Sequence, residues 1–559
     1  MTIEHTQNGT TTSPNTYDAV IVGAGFSGLY MLYRLREIGL SVRVFEAGDG
    51  VGGTWYWNRY PGARCDVESI DYSYSFSPEL EQEWEWTERY PSQPEILRYL
   101  EHVADRFSLR PDIQLETRVT AASFNEATNR WHIETDQDEM VQAQFCIMAT
   151  GCLSKPNRPH YQGLEKFKGA TYHTGLWPKE DVDFTGKRVG VIGTGSSAIQ
   201  SIPVIAHQAD HLYVFQRTPN FSLPAANRPL DSATQQTAKT NYPERRQIAR
   251  ESAFGMPLEI NDLSLQSVLD VPPEEREQEL ERRWEHGGFA MLAAFSDIII
   301  NKESNDTVAE FVRDKIREKV DDPTVANLLA PTNHPFATKR PCVDIEYYET
   351  YNRDNVTLVD MHNEPIEAIT EQGLRTSEGE YTLDALVFAT GFDAMTGALF
   401  AIDIRSKNNQ SLKEKWSSGP RTYLGLMTAG FPNLYTITGP GSPSVLSNMI
   451  VSIEQHVEWI TDAIKHMRTQ GKTIMEASVK AEDDWVQHVM EVGDATLHPL
   501  ANSWYVGANI PGKPRVFMPY IGGVGNYRMI CDQIAANDYE GFVFTKAEAL
   551  EHESGVREA

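Results

Sequence analysis

Short apolar runs with strand-like composition alternate along the chain with stretches of helical periodicity. Tyr17–Val22 leads into a glycine-rich turn and a helical pattern, which ends before a second strand-like run at Ser41–Phe45. Arg188–Ile192 opens a unit of the same order, which closes with a strand-like run at His211–Phe215. Alternation of this kind predicts an α/β fold with parallel sheets. The repeated unit predicts two Rossmann-like dinucleotide-binding domains.

A second pair of similar segments marks places where the chain can pass between the two units. Met148–Gly151 and Phe388–Gly391 both end an apolar strand with Ala-Thr-Gly. Pro273–Trp284 is dense in charged residues and predicts a helix with a solvated face, inside a helical insertion. The predicted order is a flexible tail at 1–16, a first domain at 17–151, a second domain at 152–220, the helical insertion at 221–329, the rest of the second domain at 330–388, and the rest of the first at 389–559.

The composition narrows the classes of partner and site. The 559-residue chain carries 50 basic and 78 acidic side chains, a net charge of −28, which disfavours nucleic acids and anionic membranes as partners. Its five cysteines include no Cys-x-x-Cys pair, so we expect no disulfide framework, no metal site and no dithiol redox centre. The first 16 residues lack the basic start and apolar core of a signal peptide, and no run is long enough to span a membrane. We therefore expect a cytoplasmic protein.

The first glycine-rich turn has the context of a dinucleotide site. Gly23, Gly25, Ser27 and Gly28 lie between a strand and a helix, and the next strand ends in Glu46. Glycines let the backbone approach a pyrophosphate at the positive end of the helix, and a carboxylate at this spacing accepts hydrogen bonds from ribose hydroxyls. We predict an FAD site here; the alternative is a tight turn in an unrelated α/β fold.

The second turn differs from the first where the cofactor is selected. In place of Glu46 the second unit has Gln216, followed by Arg217 and Thr218. A carboxylate there would repel a 2′-phosphate, whereas an arginine and a hydroxyl would bind it, so we predict NADPH and not NADH. The alternative is an ordinary surface arginine. The predicted NADPH-binding residues of this unit are Gly193, Thr194, Gly195, Ser196, Ser197, Ala198, Gln200, Arg217 and Thr218.

Two nucleotide sites allow electrons to pass from NADPH through FAD either to a dithiol, which is absent here, or to O₂. Two further motifs favour oxygen. Residues 167–178 resemble the F-x-G-x-x-x-H-T-x-x-W-[PD] fingerprint of type I Baeyer–Villiger monooxygenases, and residues 52–66 resemble a longer signature of the same family. The phenylacetone and steroid monooxygenase branch is the most similar, and cyclohexanone monooxygenases are further off. The fingerprint positions are Phe167, Gly169, His173, Thr174 and Trp177.

The resemblance implies a reaction and a catalytic cation. NADPH reduces FAD, a C4a-peroxyflavin forms with O₂, and a ketone becomes an ester or lactone. The family pattern puts the catalytic arginine at Arg340, pairs it with Asp66, gives Lys339 a contact with the NADPH 2′-phosphate, and gives Trp504 a contact with the nicotinamide-side ribose. Arginine suits the task because it keeps its proton at any working pH. Without the family, Lys339-Arg340 would be read as a solvated surface pair.

The resemblance also implies roles in flavin, substrate and linker contacts. The FAD-binding set extends to Thr54, Trp55, Asp66, Tyr72 and Met449, and Arg340 is counted with the NADPH contacts. Ser444, Val445 and Leu446 are expected to face the ketone, and His173 to orient the linker instead of transferring protons. The expected partners are a ketone and O₂, in a monomer or weak homo-oligomer. Two other hypotheses stay open: an N- or S-oxygenating flavin monooxygenase, and a non-catalytic redox sensor.

Overall fold

The computed structural model describes residues 15–258 and 260–546. Of the predicted tail at 1–16, only Asn15 and Thr16 are described, and both belong to the first strand because they pair with Val141 and Gln142. Residues 1–14 of that tail, and residues 547–559 of the segment predicted at 389–559, lie outside the described residues.

Strands and helices alternate through most of the described range. The strands are β1 (Asn15–Val22), β2 (Val42–Phe45), β3 (Ile113–Gln114), β4 (Val119–Asn125), β5 (Arg130–Thr135), β6 (Met140–Met148), β7 (Ala170–His173), β8 (Arg188–Ile192), β9 (His211–Gln216), β10 (Ser222–Pro224), β11 (Cys342–Asp344), β12 (Val356–Asp360), β13 (Ile366–Thr370), β14 (Gly373–Thr376), β15 (Glu380–Thr382), β16 (Ala385–Phe388), β17 (Asp403–Arg405), β18 (Leu434–Thr436), β19 (Ile474–Ala477) and β20 (Phe542–Thr545). The α-helices are α1 (Phe26–Glu37), α2 (Thr54–Trp57), α3 (Pro78–Glu83), α4 (Gln93–Arg106), α5 (Ser196–Gln208), α6 (Ser232–Glu251), α7 (Pro273–His286), α8 (Lys302–Lys319), α9 (Pro323–Leu329), α10 (Leu412–Lys415), α11 (Met449–Thr469), α12 (Val479–Asp494) and α13 (Val524–Ala536).

In the larger sheet, β1 lies between β6 and β2. Its strand order is β17-β4-β5-β6-β1-β2-β3, with β18 also paired to β6, and β1 runs parallel to both of its neighbours. Ala19 and Ile21 on one face of β1 belong to the largest hydrophobic cluster, while Val20 and Val22 on the other face belong to a second cluster. Both faces are therefore buried, as expected for parallel strands covered on both sides.

The smaller sheet repeats this arrangement around β8. Its order is β12-β9-β8-β16-β7, and every pair in it is parallel. The predicted strand Arg188–Ile192 coincides with β8, and β9 extends one residue beyond the predicted run. The prediction of an α/β fold with two Rossmann-like units is confirmed.

The chain passes between the two sheets twice. It leaves the larger sheet after Met148 and enters the smaller one at β7; it leaves the smaller sheet after Phe388 and returns to the larger one at β17. Both exits are the Ala-Thr-Gly segments of the sequence. The backbone of each segment packs directly against a glycine of a nucleotide turn. A Cβ at Gly23 would lie 2.6 Å from the Ala149 oxygen, and one at Gly193 would lie 2.4 Å from the Ala389 oxygen, so neither position has room for a side chain.

Helices α6 to α9 occupy the stretch predicted as a helical insertion. The density of charged residues in α7 predicts a solvated face, but not all of its charged side chains are exposed to solvent. Glu279 and Arg283 are 4% and 1% exposed, and their side chains form an ion pair of 2.7 Å one turn apart. A buried pair of this kind is tolerated because each charge has a hydrogen-bonded partner.

Candidate active site

At the turn between β1 and α1, backbone segments approach each other so closely that there is no room for side chains between them. A Cβ at Gly28 would lie 1.8 Å from the Gly23 oxygen, and a Cβ at Gly53 would lie 2.9 Å from the Gly25 Cα. Helix α1 begins here with no side-chain cap, so its first N–H groups remain available for an anion. These glycines form a backbone cradle that fits the pyrophosphate of a dinucleotide such as FAD.

The carboxylate at the end of β2 fixes the rim of this cradle. Glu46 accepts hydrogen bonds of 2.8 Å from the backbone N–H groups of both Ala24 and Gly48. Burial raises the pKa of Glu46, and these two donors oppose that shift. The chain therefore fixes a buried carboxylate beside the cradle, and its contact with the FAD ribose stays a prediction.

The remaining predicted FAD contacts continue from the cradle along α2. Thr54 is exposed at the first position of α2, and the Trp55 indole donates to the Tyr72 hydroxyl at 3.2 Å. Ser27 is buried in the first turn of α1, and Met449 is half-buried at the start of α11. Their contacts with FAD stay predictions.

The turn between β8 and α5 has the same backbone but an open face. Gly193 has a φ of +117°, and a Cβ built at Gly195 would meet nothing within 4 Å. The Thr194 hydroxyl donates to the Thr218 carbonyl at 2.7 Å, which ties this turn to the end of β9. Ser196, Ser197 and Ala198 form the first turn of α5. The turn fits the pyrophosphate of a second dinucleotide that can enter from solvent.

Two cations lie beside this second turn. Arg217 is exposed directly after β9, while Lys339 is half-buried. Burial lowers the pKa of Lys339, and the nearby charge of Arg217 lowers it further. Within the described residues neither cation has an ion pair or a side-chain hydrogen bond. Gln216 is turned inward, where its amide donates to the Leu328 carbonyl at 2.8 Å, so the position that Glu46 occupies in the first unit holds a neutral side chain here.

Arg340 lies where the two nucleotide units meet. Its Nε is 3.1 Å from an Asp66 carboxylate oxygen, its Nη1 donates to the Val445 carbonyl at 2.9 Å, and its guanidinium lies 5.1 Å from the centre of the Phe289 ring. Burial alone lowers the pKa of Arg340, but Asp66 and Tyr505 outweigh it and raise the pKa above its ordinary value. Burial raises the pKa of Asp66, and Arg340 opposes that shift. The site holds a fixed, protonated guanidinium.

Tyr505 and Phe289 are site residues that the sequence analysis missed. Burial raises the pKa of Tyr505 to about 12, with the nearby Arg340 acting in the opposite direction. Tyr505 directly follows Trp504, the predicted ribose contact, and the two ring centres lie 4.2 Å apart. Its position next to Trp504 in the sequence could therefore have indicated that Tyr505 belongs to the site. Phe289 lies in the helical insertion, far from every motif, and only the fold brings it to Arg340.

The fingerprint residues form the edge of the smaller sheet. The His173 Nδ1 accepts from the Gly175 N–H at 3.0 Å, so Nε2 carries the proton and faces the Asn157 carbonyl at 3.2 Å. The Thr390 hydroxyl donates to the same carbonyl at 2.6 Å. Burial lowers the pKa of His173, so the ring is neutral at pH 7. His173 therefore joins the two segments that cross between the sheets, which supports the linker role implied by the resemblance.

The other fingerprint positions are structural in the same sense. Trp177 is buried with its ring centre 5.2 Å from that of Tyr172. A Cβ at Gly169 would lie 2.4 Å from the Phe167 ring, so this position is closed to larger residues. The Thr174 hydroxyl lies 3.0 Å from that of Ser197, at the start of α5. The fingerprint thus packs against the second nucleotide turn.

The predicted substrate loop requires one correction. The Ser444 hydroxyl lies 3.1 Å from the Cys152 sulfur, and the residue is fully buried. Its side chain therefore does not face an open pocket, and it supports the loop from beneath. Val445 offers its carbonyl to Arg340, and Leu446 is half-buried at the edge of an apolar cluster. The predicted ketone contact stays a prediction for Val445 and Leu446.

Gln200, a predicted NADPH contact, uses both ends of its side-chain carboxamide in hydrogen bonds to Tyr60 and Arg64 of the 52–66 signature. The contact with NADPH predicted for this residue stays a prediction. Within residues 15–258 and 260–546, no group of His, Cys, Asp and Glu side chains could hold a metal ion. None of the helices described is long and apolar enough to cross a membrane.

Known proteins share this architecture along nearly the whole chain. A family model described as pyridine nucleotide-disulphide oxidoreductase matches residues 20–250. Acetone monooxygenase (methyl acetate-forming) from Gordonia sp. is 43% identical over 536 residues, 95% of this chain and 100% of that protein. A Baeyer-Villiger monooxygenase from Pseudooceanicola batsensis is 43% identical over 533 residues, 94% of this chain and 96% of its own. The solved structure of oxidized steroid monooxygenase bound to NADP is 53% identical with a TM-score of 0.91, covering 95% of this chain and 100% of the other.

Proposed function

The chain belongs to the Baeyer–Villiger monooxygenase family and is a flavoenzyme that uses FAD and NADPH; we propose that Arg340 is the residue on which its oxygenation step depends. The observation that carries the proposal is the position of this guanidinium. It is bonded to Asp66 from the first nucleotide unit and to the Val445 carbonyl from the predicted substrate loop. A cation held in this way can act on both a cofactor and a ketone.

The overall reaction divides the two atoms of O₂ between water and the ester or lactone. NADPH, a proton, O₂ and a ketone give NADP⁺, water and an ester or lactone, in which the new oxygen lies between the carbonyl carbon and the carbon that migrates. FAD, held at the first nucleotide turn, would supply the two-electron redox chemistry that connects the oxidation of NADPH to the reduction of O₂. The residues of the chain bind, orient and exclude water around these partners.

Arg340 contributes a positive field that does not titrate. Its raised pKa keeps the guanidinium charged across the working range of pH, so negative oxygen charge in the site is stabilised without a proton being given to it. Asp66 is a positioning residue, because its carboxylate holds Nε while Nη1 is held by Val445. An oxygen nucleophile must stay unprotonated to attack a carbonyl carbon. The charged guanidinium of Arg340 meets this need because it stabilises the negative charge without giving up a proton.

Arg217 and Lys339 are proposed to bind the 2′-phosphate of NADPH. Support comes from the two neighbouring cations beside the second turn, neither of which has a carboxylate partner among the described residues, and from the inward-turned Gln216 next to them. Trp504 is proposed to contact the ribose on the nicotinamide side, close to Tyr505 and Arg340. Together these residues would hold NADPH at two points, the 2′-phosphate beside the second turn and the nicotinamide-side ribose near Arg340.

The substrate is proposed to be an apolar ketone. The groups around Arg340 include the Phe289 ring, and Leu446 and Met449 flank an apolar cluster that contains Val445 and Tyr505. We further propose a monomer or weak homo-oligomer in the cytoplasm. Support for that compartment is that all five cysteines are free and buried, as in proteins of reducing environments.

Product identity tests the proposal. The purified protein should consume NADPH with a panel of aliphatic, aryl and cyclic ketones and release esters or lactones, identified by mass. Arg340→Ala should abolish ester formation while NADPH still bleaches the flavin. Heteroatom oxides from amines or sulfides, with no ester from any ketone, would favour the N- or S-oxygenating alternative instead. An absence of any product would favour the redox sensor.

A further inference from the structure

The Gln200 carboxamide joins the two nucleotide units at one point. Gln200 lies one turn inside α5, the helix that begins at the open NADPH turn. Its Oε1 accepts from the Tyr60 hydroxyl at 2.8 Å and from the Arg64 N–H at 3.3 Å, and its Nε2 donates to the Arg64 carbonyl at 3.0 Å. One side chain therefore fixes both backbone polar groups of Arg64 as well as a side chain four residues earlier.

The backbone at this contact is as close as side chains allow. Gly62 has a φ of +79°, and a Cβ placed on it would lie 2.2 Å from the Gln200 carbonyl oxygen. A Cβ there would also lie 3.1 Å from a methyl group of Val204, one turn further along α5. The Tyr60 ring packs against the hydrophobic cluster of the smaller sheet, although Tyr60 itself belongs to the first unit. The segment 60–64 thus lies directly on α5.

This segment continues into the anchor of the catalytic arginine. Asp66 follows Arg64 by two residues and holds the Arg340 Nε at 3.1 Å. Arg64 is held at its other end by Glu88, at 2.9 Å, and by the Tyr90 carbonyl. A displacement of Arg64 relative to α5 would therefore move Asp66 relative to the NADPH turn. Sub-ångström placement of charged groups is what such a site depends on.

We propose that Gln200 is a positioning residue that sets Asp66, and through it Arg340, at a fixed distance from the NADPH turn. The inference rests on the proposed function of Arg340. Loss of the carboxamide should leave NADPH oxidation running while the oxygen it activates escapes as hydrogen peroxide. In that uncoupled reaction NADPH, a proton and O₂ give NADP⁺ and H₂O₂, with no oxygen transferred to the ketone.

A second contact between the same regions provides a matched control. Lys179, two residues after the fingerprint tryptophan, forms an ion pair with Asp49 across the two units. Both side chains are about half exposed, at 48% and 47%, and exposed pairs contribute little. Neither residue is part of the proposed catalytic or binding machinery. Lys179→Ala therefore removes an interdomain contact without touching the segment that carries Asp66.

The experiment measures ester formed per NADPH consumed in wild type, Gln200→Leu, Tyr60→Phe, the double variant and Lys179→Ala. Gln200→Leu should lower this ratio about tenfold with a matching rise in H₂O₂, and Tyr60→Phe about threefold. The double variant should be no worse than Gln200→Leu, since both remove the same contact. Lys179→Ala should stay within about 1.5-fold of wild type.

A second readout does not depend on turnover. Hydrogen exchange of the amides in 60–66 should accelerate in Gln200→Leu and not in Lys179→Ala. If Gln200→Leu does not fold, Tyr60→Phe carries the test alone, and a wild-type ratio in it overturns the proposal. A wild-type ratio in Gln200→Leu, or additive losses in the double variant, would also overturn it. If the wild-type protein makes no ester, the proposed function has failed, and unchanged exchange in Gln200→Leu would show separately that Gln200 holds nothing in place.

Discussion

The two nucleotide turns share a backbone and differ in how tightly it is enclosed. At the first turn, Gly25 faces Gly53 of the neighbouring segment, and at the second, Gly195 faces open space. The third glycine of the first turn becomes Ala198 in the second, where the methyl group is accommodated and fully buried. An enclosed site suits a cofactor that stays bound, and an open one suits a cofactor that arrives and leaves. The same fold is thus compatible with the proposed resident flavin at the first turn and the proposed exchanged nicotinamide at the second.

The largest expected effect comes from adding one methyl group at the third glycine of the first turn, the position that is alanine in the second turn. Gly28→Ala would place a Cβ 1.8 Å from the Gly23 carbonyl oxygen, and neither backbone can yield cheaply. We expect loss of bound flavin and a fall in the free energy of unfolding of more than about 3 kcal/mol. Flavin absorbance per chain and thermal unfolding measure both. The reciprocal change, Ala198→Gly, should cost only about 1 kcal/mol and leave flavin content unchanged; equal losses in the two variants would contradict the difference in enclosure.

The second effect concerns Arg217, which directly follows the second strand of the second nucleotide unit, β9. Arg217→Ala should raise the KM for NADPH about tenfold to a hundredfold, because a charge-assisted hydrogen bond to the 2′-phosphate is lost. The KM for NADH should change little, since NADH has no such phosphate. Steady-state kinetics with both nucleotides measures the ratio. A parallel rise for both would show that Arg217 does not select the cofactor.

The carboxylate of the first turn should matter in a different way. Glu46→Gln replaces one of two acceptors with an NH₂ group that faces a backbone N–H of Ala24 or Gly48. We expect FAD affinity to fall about tenfold, with the KM for NADPH unchanged once FAD is saturating. Titration of the apoprotein with FAD measures the first quantity. A change confined to NADPH would reverse the assignment of the two turns.

The smallest effect distinguishes the turns by ionic strength. Arg217 is exposed, so its attraction for a phosphate should be screened by salt, whereas the buried cradle of the first turn should not be affected. We expect the KM for NADPH to rise about threefold between 0.05 and 0.5 M salt, with bound flavin retained. Arg217→Ala should flatten this dependence, and a slope as steep as that of wild type would show that other charges cause it.

The sequence was sufficient for the fold and for most of the site because the signals are local. A strand, a glycine turn and a helix lie within about 30 residues, so the units at Gly23 and Gly193 could be recognised along the chain. Arg340, Asp66, Arg217 and Lys339 were predicted, and the structure brings the first two within hydrogen-bond distance. Their roles toward the cofactors stay predictions.

Contacts between distant segments could not be predicted in the same way. Phe289 reaches Arg340 from the helical insertion, and Gln200 reaches Tyr60 across 140 residues. Ser444 was expected to face a substrate, but its position beneath the loop depends on Cys152, which comes 292 residues earlier. Periodicity and motif spacing carry no information about which side of a loop will be covered by another segment.

The most direct test of the account compares Arg217→Ala with Arg340→Ala in the same two assays. Anaerobic reduction of the flavin by NADPH reports the open nucleotide turn, and ester formed per NADPH consumed reports the catalytic cation. The account predicts opposite failures: Arg217→Ala reduces its flavin slowly at low NADPH yet converts each NADPH into ester, while Arg340→Ala reduces its flavin and forms no ester. Ester formation by Arg340→Ala at the wild-type ratio would contradict the account.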